Sequence, residues 1–219
     1  MNLCLHHFFI LTEVEAPAAA KLLSLGLQES FGRVHQGQGT ANRRFEFNNG
    51  MLELLWVHDS QEALSGPGAM LRFAERTSQL KDGASPFGVV LCPLDGNDGG
   101  LPFNGWKYQP DYFTPPMAFH VGENSELLTE PLCIYAPFFK ASDNSDEIKS
   151  PLNNGFANIS HVNLSVACYA LSDQLLAANT AHGLQIEASD EHLIELTFDH
   201  CRQGLREDFR PDLPLIIHW

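Results

Sequence analysis

The sequence predicts a mixed α+β protein made of repeated strand, helix and strand units packed around a shared cavity. Three observations predict it. Short apolar runs bounded by turn residues recur along the chain, which is the pattern of buried strands. Residues 1–59 spell one complete βαβββ order. Words from that stretch then return in the last third: Gly26-Leu27-Gln28 as Gly183-Leu184-Gln185, and Leu52-Glu53-Leu54 as Ile194-Glu195-Leu196. A duplication is the simplest account of such a return, because repeated units can bury their sheets against one another. Residues 1–59 then form the first module, and 60–219 hold a connector helix, a long loop and the second module as one compact unit.

The first strand is the bulky apolar run Leu5 to Leu11. A short helix follows from Pro17 to Leu25, with proline suited to the first helical position, alanines of high propensity and Gly26 as the stop. Strands are expected over Glu29 to His35, Arg43 to Phe47 and Met51 to Val57. Asn48-Asn49-Gly50 marks a hairpin between the last two, because these residues tolerate positive φ. After the breaker Gly66-Pro67-Gly68, a helix over Ala69 to Leu80 would put Met70, Phe73, Ala74 and Thr77 on one face. Strands at Phe87 to Cys92, Met117 to Val121 and Leu132 to Phe139 flank a loop from Pro93 to Pro116. That loop mixes turn residues with Phe103, Trp106, Tyr108, Tyr112 and Phe113, and its length marks it as a substrate lid. Ala141 to Ser150 reads as a polar excursion. His161 to Ala167, a helix over Ser172 to His182 capped by Ser172, and strands at His192 to Phe198 and Leu213 to Trp219 complete the chain.

Composition narrows the function. The chain has 219 residues, 44% of them hydrophobic and 18% charged, enough to bury a core without a disulfide framework. Its formal charge of -14 repels phosphate backbones and anionic lipid, so neither a nucleic acid nor a membrane is an expected partner. The five cysteines lack any CxxC spacing and read as buried thiols of a reducing compartment. The start MNLCLHHFF has no basic n-region, and no segment approaches the ~20 apolar residues of a membrane span, which makes a cytoplasmic location the expectation.

Two constellations carry chemistry. His7, Glu53, His161 and Glu195 occupy corresponding strand positions in the two halves, and imidazole and carboxylate are ligands of divalent first-row metals. The competing reading makes the histidines hydrogen-bonded strand ends and the glutamates members of polar strand faces. Glu53 is a lone carboxylate in the apolar run Met51 to Val57, so if buried it must be paired, metal-bound or protonated. The second constellation is His35-Gln36-Gly37-Gln38-Gly39-Thr40-Ala41-Asn42-Arg43. Its glycines allow close backbone approach and amides that face an anion, and Thr40, Asn42 and Arg43 are directed donors for a ligand's polar end. A tight turn between two strands would need the same glycines. The stretch lacks GxGxxG and GK[ST], so no nucleotide cofactor is expected.

In order, Leu5-His6-His7, His35-x-Gly37-x-Gly39-Thr40-x-Asn42 and Leu52-Glu53-Leu54 resemble the "DH", "H-x-G-x-GT-x-N" and "YLEL" segments of the glyoxalase-like branch of the vicinal oxygen chelate superfamily. Pro137-Phe138-Phe139 and Pro151-Leu152-Asn153-Asn154-Gly155 resemble that branch's "PF" strand and "HPNG" turn. The resemblance implies paired βαβββ modules forming a cupped mixed sheet of the glyoxalase/dihydroxybiphenyl dioxygenase type. It also implies a divalent metal (Zn, Fe, Mn, Ni or Mg) near His7 and Glu53, and chemistry on neighbouring oxygens of a small molecule, as in lyases, isomerases and dioxygenases. Members that only bind or sequester small ligands also exist.

Two readings follow. In the enzyme, His7, Glu53, His161 and Glu195 hold the metal, Glu53 and His35 serve catalysis, Thr40, Asn42 and Arg43 grip the substrate, and Trp106 and Tyr108 close over it. In the binding protein, the aromatic residues hold the ligand without chemistry. The modules can pair within one chain or across a homodimer.

Overall fold

The computed structural model describes residues 2–95, 100–141 and 156–219. Strand β1 (Leu3–Leu11) is the first apolar run, and helix α1 (Ala19–Leu25) ends at Gly26, whose φ of 106° turns its amide back onto the Leu22 and Leu23 carbonyls. Strands β2 (Arg33–His35), β3 (Thr40–Phe47) and β4 (Gly50–Val57) complete the expected βαβββ order. Asn48 and Asn49 form a two-residue hairpin turn, so Phe47 faces Gly50 and Arg44 faces Glu53.

Helix α2 (Ser60–Ser65) follows, capped by the Asp59 carboxylate, which accepts from the Glu62 amide. The helix expected over 69–80 is instead a 3-10 turn at Ala69–Leu71 and helix α3 (Phe73–Ser78), separated by Arg72 at φ 59°. In a continuous helix residues 71 and 73 would point roughly 200° apart. The break lets Leu71 and Phe73 both enter the core and leaves Met70 exposed.

Strands β5 (Phe87–Pro93), β6 (Gly105–Tyr108), β7 (Phe119–Gly122) and β8 (Leu132–Tyr135) supply the other half of one eight-stranded sheet, ordered β2-β3-β4-β1-β5-β8-β7-β6. β1 runs parallel to β4, β5 runs parallel to β8, and β1 meets β5 antiparallel. An approximate two-fold axis therefore passes through the β1–β5 seam. This is a mixed α+β, strand-rich cupped sheet, as the glyoxalase resemblance implies, but its second half comes from residues 87–135 and not from the last third.

The last third builds a separate sheet. Strand β9 (Ile159–Ala167), helix α4 (Asp173–Ala178) and strands β10 (Leu184–Ser189), β11 (Leu193–Phe198), β12 (Arg206–Asp208) and β13 (Leu215–His218) form the order β10-β9-β11-β13-β12. Here β9 lies parallel to β10, whereas β1 lies parallel to β4, so the recurring words do not mark equivalent positions. Gly26 and Gly183 share positive φ, and the repeated Gly-Leu-Gln reports that common turn.

Strand alternation divides the eight-stranded sheet into two faces. Phe8 and Ile10 of β1, with Leu52 and Leu54 of β4, pack in one core with α1 and the five-stranded sheet. Phe9, Leu11 and Leu55 face the opposite side, with Val90, Val121 and Ile134. The sheets are tied at their rims: Asn49 exchanges side-chain hydrogen bonds with both backbone groups of Ile159 at 2.7 and 2.8 Å. The buried Glu130 carboxylate accepts from the Ser172 hydroxyl at 2.6 Å and the Asn124 amide at 3.0 Å.

Among the described residues, no helix is long and apolar enough to cross a membrane. Residues 96–99 of the expected lid, 142–150 of the expected polar excursion and the Pro151-to-Gly155 turn lie outside the described residues.

Candidate ligand cavity

The second face of the eight-stranded sheet encloses a cavity of about 450 Å³, within the ordinary size range of small-molecule sites. Its walls differ by module. From β1 to β4 come His6, His7, His35, Arg44 and Glu53; from β5 to β8 and the segments beside them come Val90, Tyr108, Tyr112, Phe113, Phe119, Ile134 and Phe139.

A β-bulge explains why two consecutive histidines share one cavity. Leu5 pairs with Leu91 and His7 with Val90, so His6 is the extra residue on β1. The bulge turns the two rings toward each other, with their Nδ1 atoms 2.8 Å apart, and His6 stacks on Phe139 with centroids at 4.1 Å. One Nδ1 must donate and the other accept, so the accepting ring must be neutral and the two rings cannot both be charged. Burial pulls His7 down to about 3, assisted by the field of Arg44, and burial followed by the neighbouring His7 pulls His6 down to about 4.

Glu53 is buried with its carboxylate 3.3 Å from Arg44 Nε. That distance is an ion pair, but the N–H does not aim at the oxygen, and Arg44 Nε has no hydrogen-bond acceptor. His35 is buried with Nδ1 3.0 Å from the Thr40 hydroxyl. Burial lowers it to about 4, against the opposing pull of Glu53. Its ring lies 5.9 Å from Tyr112, whose phenol is pushed up by burial and then by Glu53.

The structure therefore brings His7, His35, Glu53 and Tyr108 to one cavity. It does not bring the other expected residues there. Thr40 is fully buried and bonded to His35 and Gln38. Asn42 accepts from the Arg33 amide at 2.8 Å. Arg43 points to the other face and clamps Glu29, with Nε 2.6 Å from Oε1, and β-strand alternation gives its place to Arg44. Trp106 donates to Ser125 at 3.2 Å. The expected lid is partly the edge strand β6, with Tyr112 and Phe113 continuing the wall.

His161 and Glu195 stand on the five-stranded sheet, where Glu195 pairs with His218 at 2.7 Å. The strands that answer β1 and β4 across the two-fold axis place Val90 and Ile134 in the cavity instead. Among the described residues no three His, Cys, Asp or Glu converge as a metal-holding group. Glu53, the buried carboxylate that lines the cavity with His7, already faces a guanidinium, whose charge opposes a cation. These residues do not fit a divalent metal.

The glycine loop does grip a carboxylate, but it belongs to the chain. The amides of Gly37 and Gly39 donate to the two oxygens of Glu62 at 2.8 and 2.9 Å. Gly39 has φ 71°, and a Cβ there would stand 2.3 Å from the Ala63 nitrogen. Gly39→Ala is expected to cost about 2–3 kcal/mol through backbone strain, read as a lowered urea midpoint.

No family model matches the chain, and no curated protein does. Among solved structures it is similar to a hypothetical protein from Staphylococcus aureus, with TM-score 0.60 and 13% identity over 100% of this chain and 99% of that one. It is also similar to a hypothetical protein from Bacillus halodurans (TM-score 0.40, 12% identity, 62% of this chain and 94% of that one). A methylmalonyl-CoA epimerase solved with methylmalonyl-CoA and NH4+ gives TM-score 0.40 and 8% identity over 65% of this chain and 97% of that one. The end-to-end likeness to the Staphylococcus aureus protein is a likeness of fold.

Proposed function

We propose that this chain is a metal-independent binding protein for a small aromatic molecule with an oxygen-bearing polar end. The observation that carries the reading is the cavity's division into a polar and an apolar wall. Phe113, Phe119 and Phe139 offer ring faces and edges to an aromatic body. Arg44 offers a buried Nε–H that lacks an acceptor, and a ligand oxygen would satisfy it. Neutral His6 and His7 add polar edges without adding charge. Metal-dependent lyase, isomerase or dioxygenase chemistry draws support from His7 and Glu53 facing one cavity, but the Arg44–Glu53 pair weighs against it.

Calorimetric titration with naphthoate, before and after chelator treatment, tests the proposal. Binding should be indifferent to the chelator, and Arg44→Met should weaken it at least roughly tenfold, about 1.4 kcal/mol. Glu53→Gln separates the two readings by sign. Removing the carboxylate frees the guanidinium, so naphthoate should bind roughly threefold to tenfold more tightly. A divalent metal retained at one per chain, and lost together with binding in Glu53→Gln, would overturn the proposal.

A further inference from the structure

Cys4 and Cys92 are direct partners across the antiparallel β1–β5 seam, and their sulfurs lie 2.9 Å apart. A covalent S–S bond is ~2.05 Å, and the Cα separations of antiparallel partners, ~4.5–5.5 Å, fall within the range a disulfide spans. Both thiols are buried and free. Cys133, Cys168 and Cys201 complete the set of five, and none of them has a sulfur so placed.

We infer that Cys4 and Cys92 form a reversible, peroxide-sensitive disulfide that locks the β1–β5 seam beside the His6–His7 bulge. Cys4 is reachable, because it lines a second cavity of about 190 Å³ together with Leu5, His6, Ser160 and His182, while Cys92 stays fully buried behind it. The two thiols are not equivalent. The contact between the two sulfurs lowers the Cys4 thiol below its ordinary value, while that same contact and burial raise Cys92. Cys4 borders the cavity and Cys92 does not, so Cys4 is the sulfur that a peroxide meets and the attacking one, in agreement with the direction of its shift.

The step balances with a hydroperoxide as oxidant. The Cys4 sulfur attacks one oxygen of hydrogen peroxide, the O–O bond breaks, and the departing hydroxide takes the thiol proton as water. The Cys4 sulfenic acid is then attacked by the Cys92 sulfur, the S–O bond breaks, and a second water leaves with the Cys92 proton. Two thiols and one peroxide give one disulfide and two waters; each sulfur is oxidised by one electron and each peroxide oxygen is reduced by one. The bulge begins between Leu5 and His7, so a cross-link at Cys4 fixes the strand from which both imidazoles project.

Peptide mapping of the folded full chain after a brief exposure to hydrogen peroxide, with free thiols alkylated before digestion, tests the inference. The expected result is a Cys4–Cys92 linked peptide that dithiothreitol abolishes, with Cys133 alkylated. Cys92→Ser should stop the reaction at a Cys4 sulfenic acid that a cyclic diketone traps. Oxidation confined to the half-buried Cys168 or Cys201, or a Cys4 sulfenic acid in the unaltered chain with no linked peptide, would overturn it. The linked peptide is read without any ligand, so its presence or absence is independent of naphthoate binding.

Discussion

Arg76→Met is expected to cost about 3–5 kcal/mol, a large share of the stability of a domain this size. Arg76 is fully buried, and its guanidinium donates to four backbone carbonyls: Leu128 at 3.2 Å, Glu130 at 2.6 Å, Ser125 at 3.2 Å and Leu127 at 3.3 Å. These carbonyls belong to the segment joining β7 to β8. Burial lowers the group to about 10, so it remains charged at neutral pH. A methionine fills much of the volume but leaves several buried acceptors unpaired, each worth roughly 1–3 kcal/mol. Arg76→Lys keeps the charge, yet one ammonium cannot reproduce the planar fork, and an intermediate loss is expected. Urea unfolding of the two variants gives the comparison. Arg76→Lys as stable as the unaltered chain would mean that charge, and not the carbonyl clamp, is what the site needs.

Acid should unfold the chain well above the range where carboxylates titrate. His6 and His35 are lowered to about 4 and His7 to about 3, each from an ordinary 6.5, and burial is the first cause in every case. Below pH 6.5 the unfolded chain takes up protons that the folded chain refuses. Stability is therefore greatest above 6.5 and falls as pH falls, until the folded pKa values are reached. Each such histidine contributes about 1.4 kcal/mol per pH unit at full slope. The shared hydrogen bond between His6 and His7 makes their titration a property of the pair. The combined slope is thus about 3–4 kcal/mol per unit between pH 6 and 5. Urea midpoints at pH 7, 6 and 5 measure it. His35→Gln should flatten the slope by about one histidine's share. A stability independent of pH from 7 to 5 would show that these rings are hydrated.

The Arg76 clamp lies apart from the proposed ligand site, whereas the acid effect arises in the histidines of that site's own wall. Arg76 holds the segment between β7 and β8, and Glu130 ties that segment to the cap of α4. The histidine bulge and the Arg44–Glu53 pair make the polar wall. The seam between β1 and β5 joins them, which is why a cross-link there would be felt at His6 and His7.

Much of the first module was legible in the residues. Apolar runs, turn words and caps concern neighbours in sequence, and they placed β1, α1, β3 and β4 within a few positions. They also pointed to Glu53 as a carboxylate in an apolar strand, and it is buried in the cavity wall. Arg44 was within reach too. A two-residue turn at Asn48-Asn49 pairs Phe47 with Gly50, and counting back along the ladder pairs Arg44 with Glu53. Alternation then sends Arg43 to the other face.

What the linear order by itself determined was local: which segments extend or coil, where the chain turns, and which side chains share a strand face. Only the tertiary structure decided which strands meet. Residues 87–135, and not 159–219, close the sheet against the first module, and so Val90 and Ile134 stand where a second imidazole and carboxylate were expected. The bulge at His6, the capture of Glu62 by the glycine amides and the approach of Cys4 to Cys92 have the same origin. Each requires contact between segments far apart in the chain. Such contacts are selected by how whole sheet faces bury their apolar surface, a property of the packed molecule that no short stretch of residues carries.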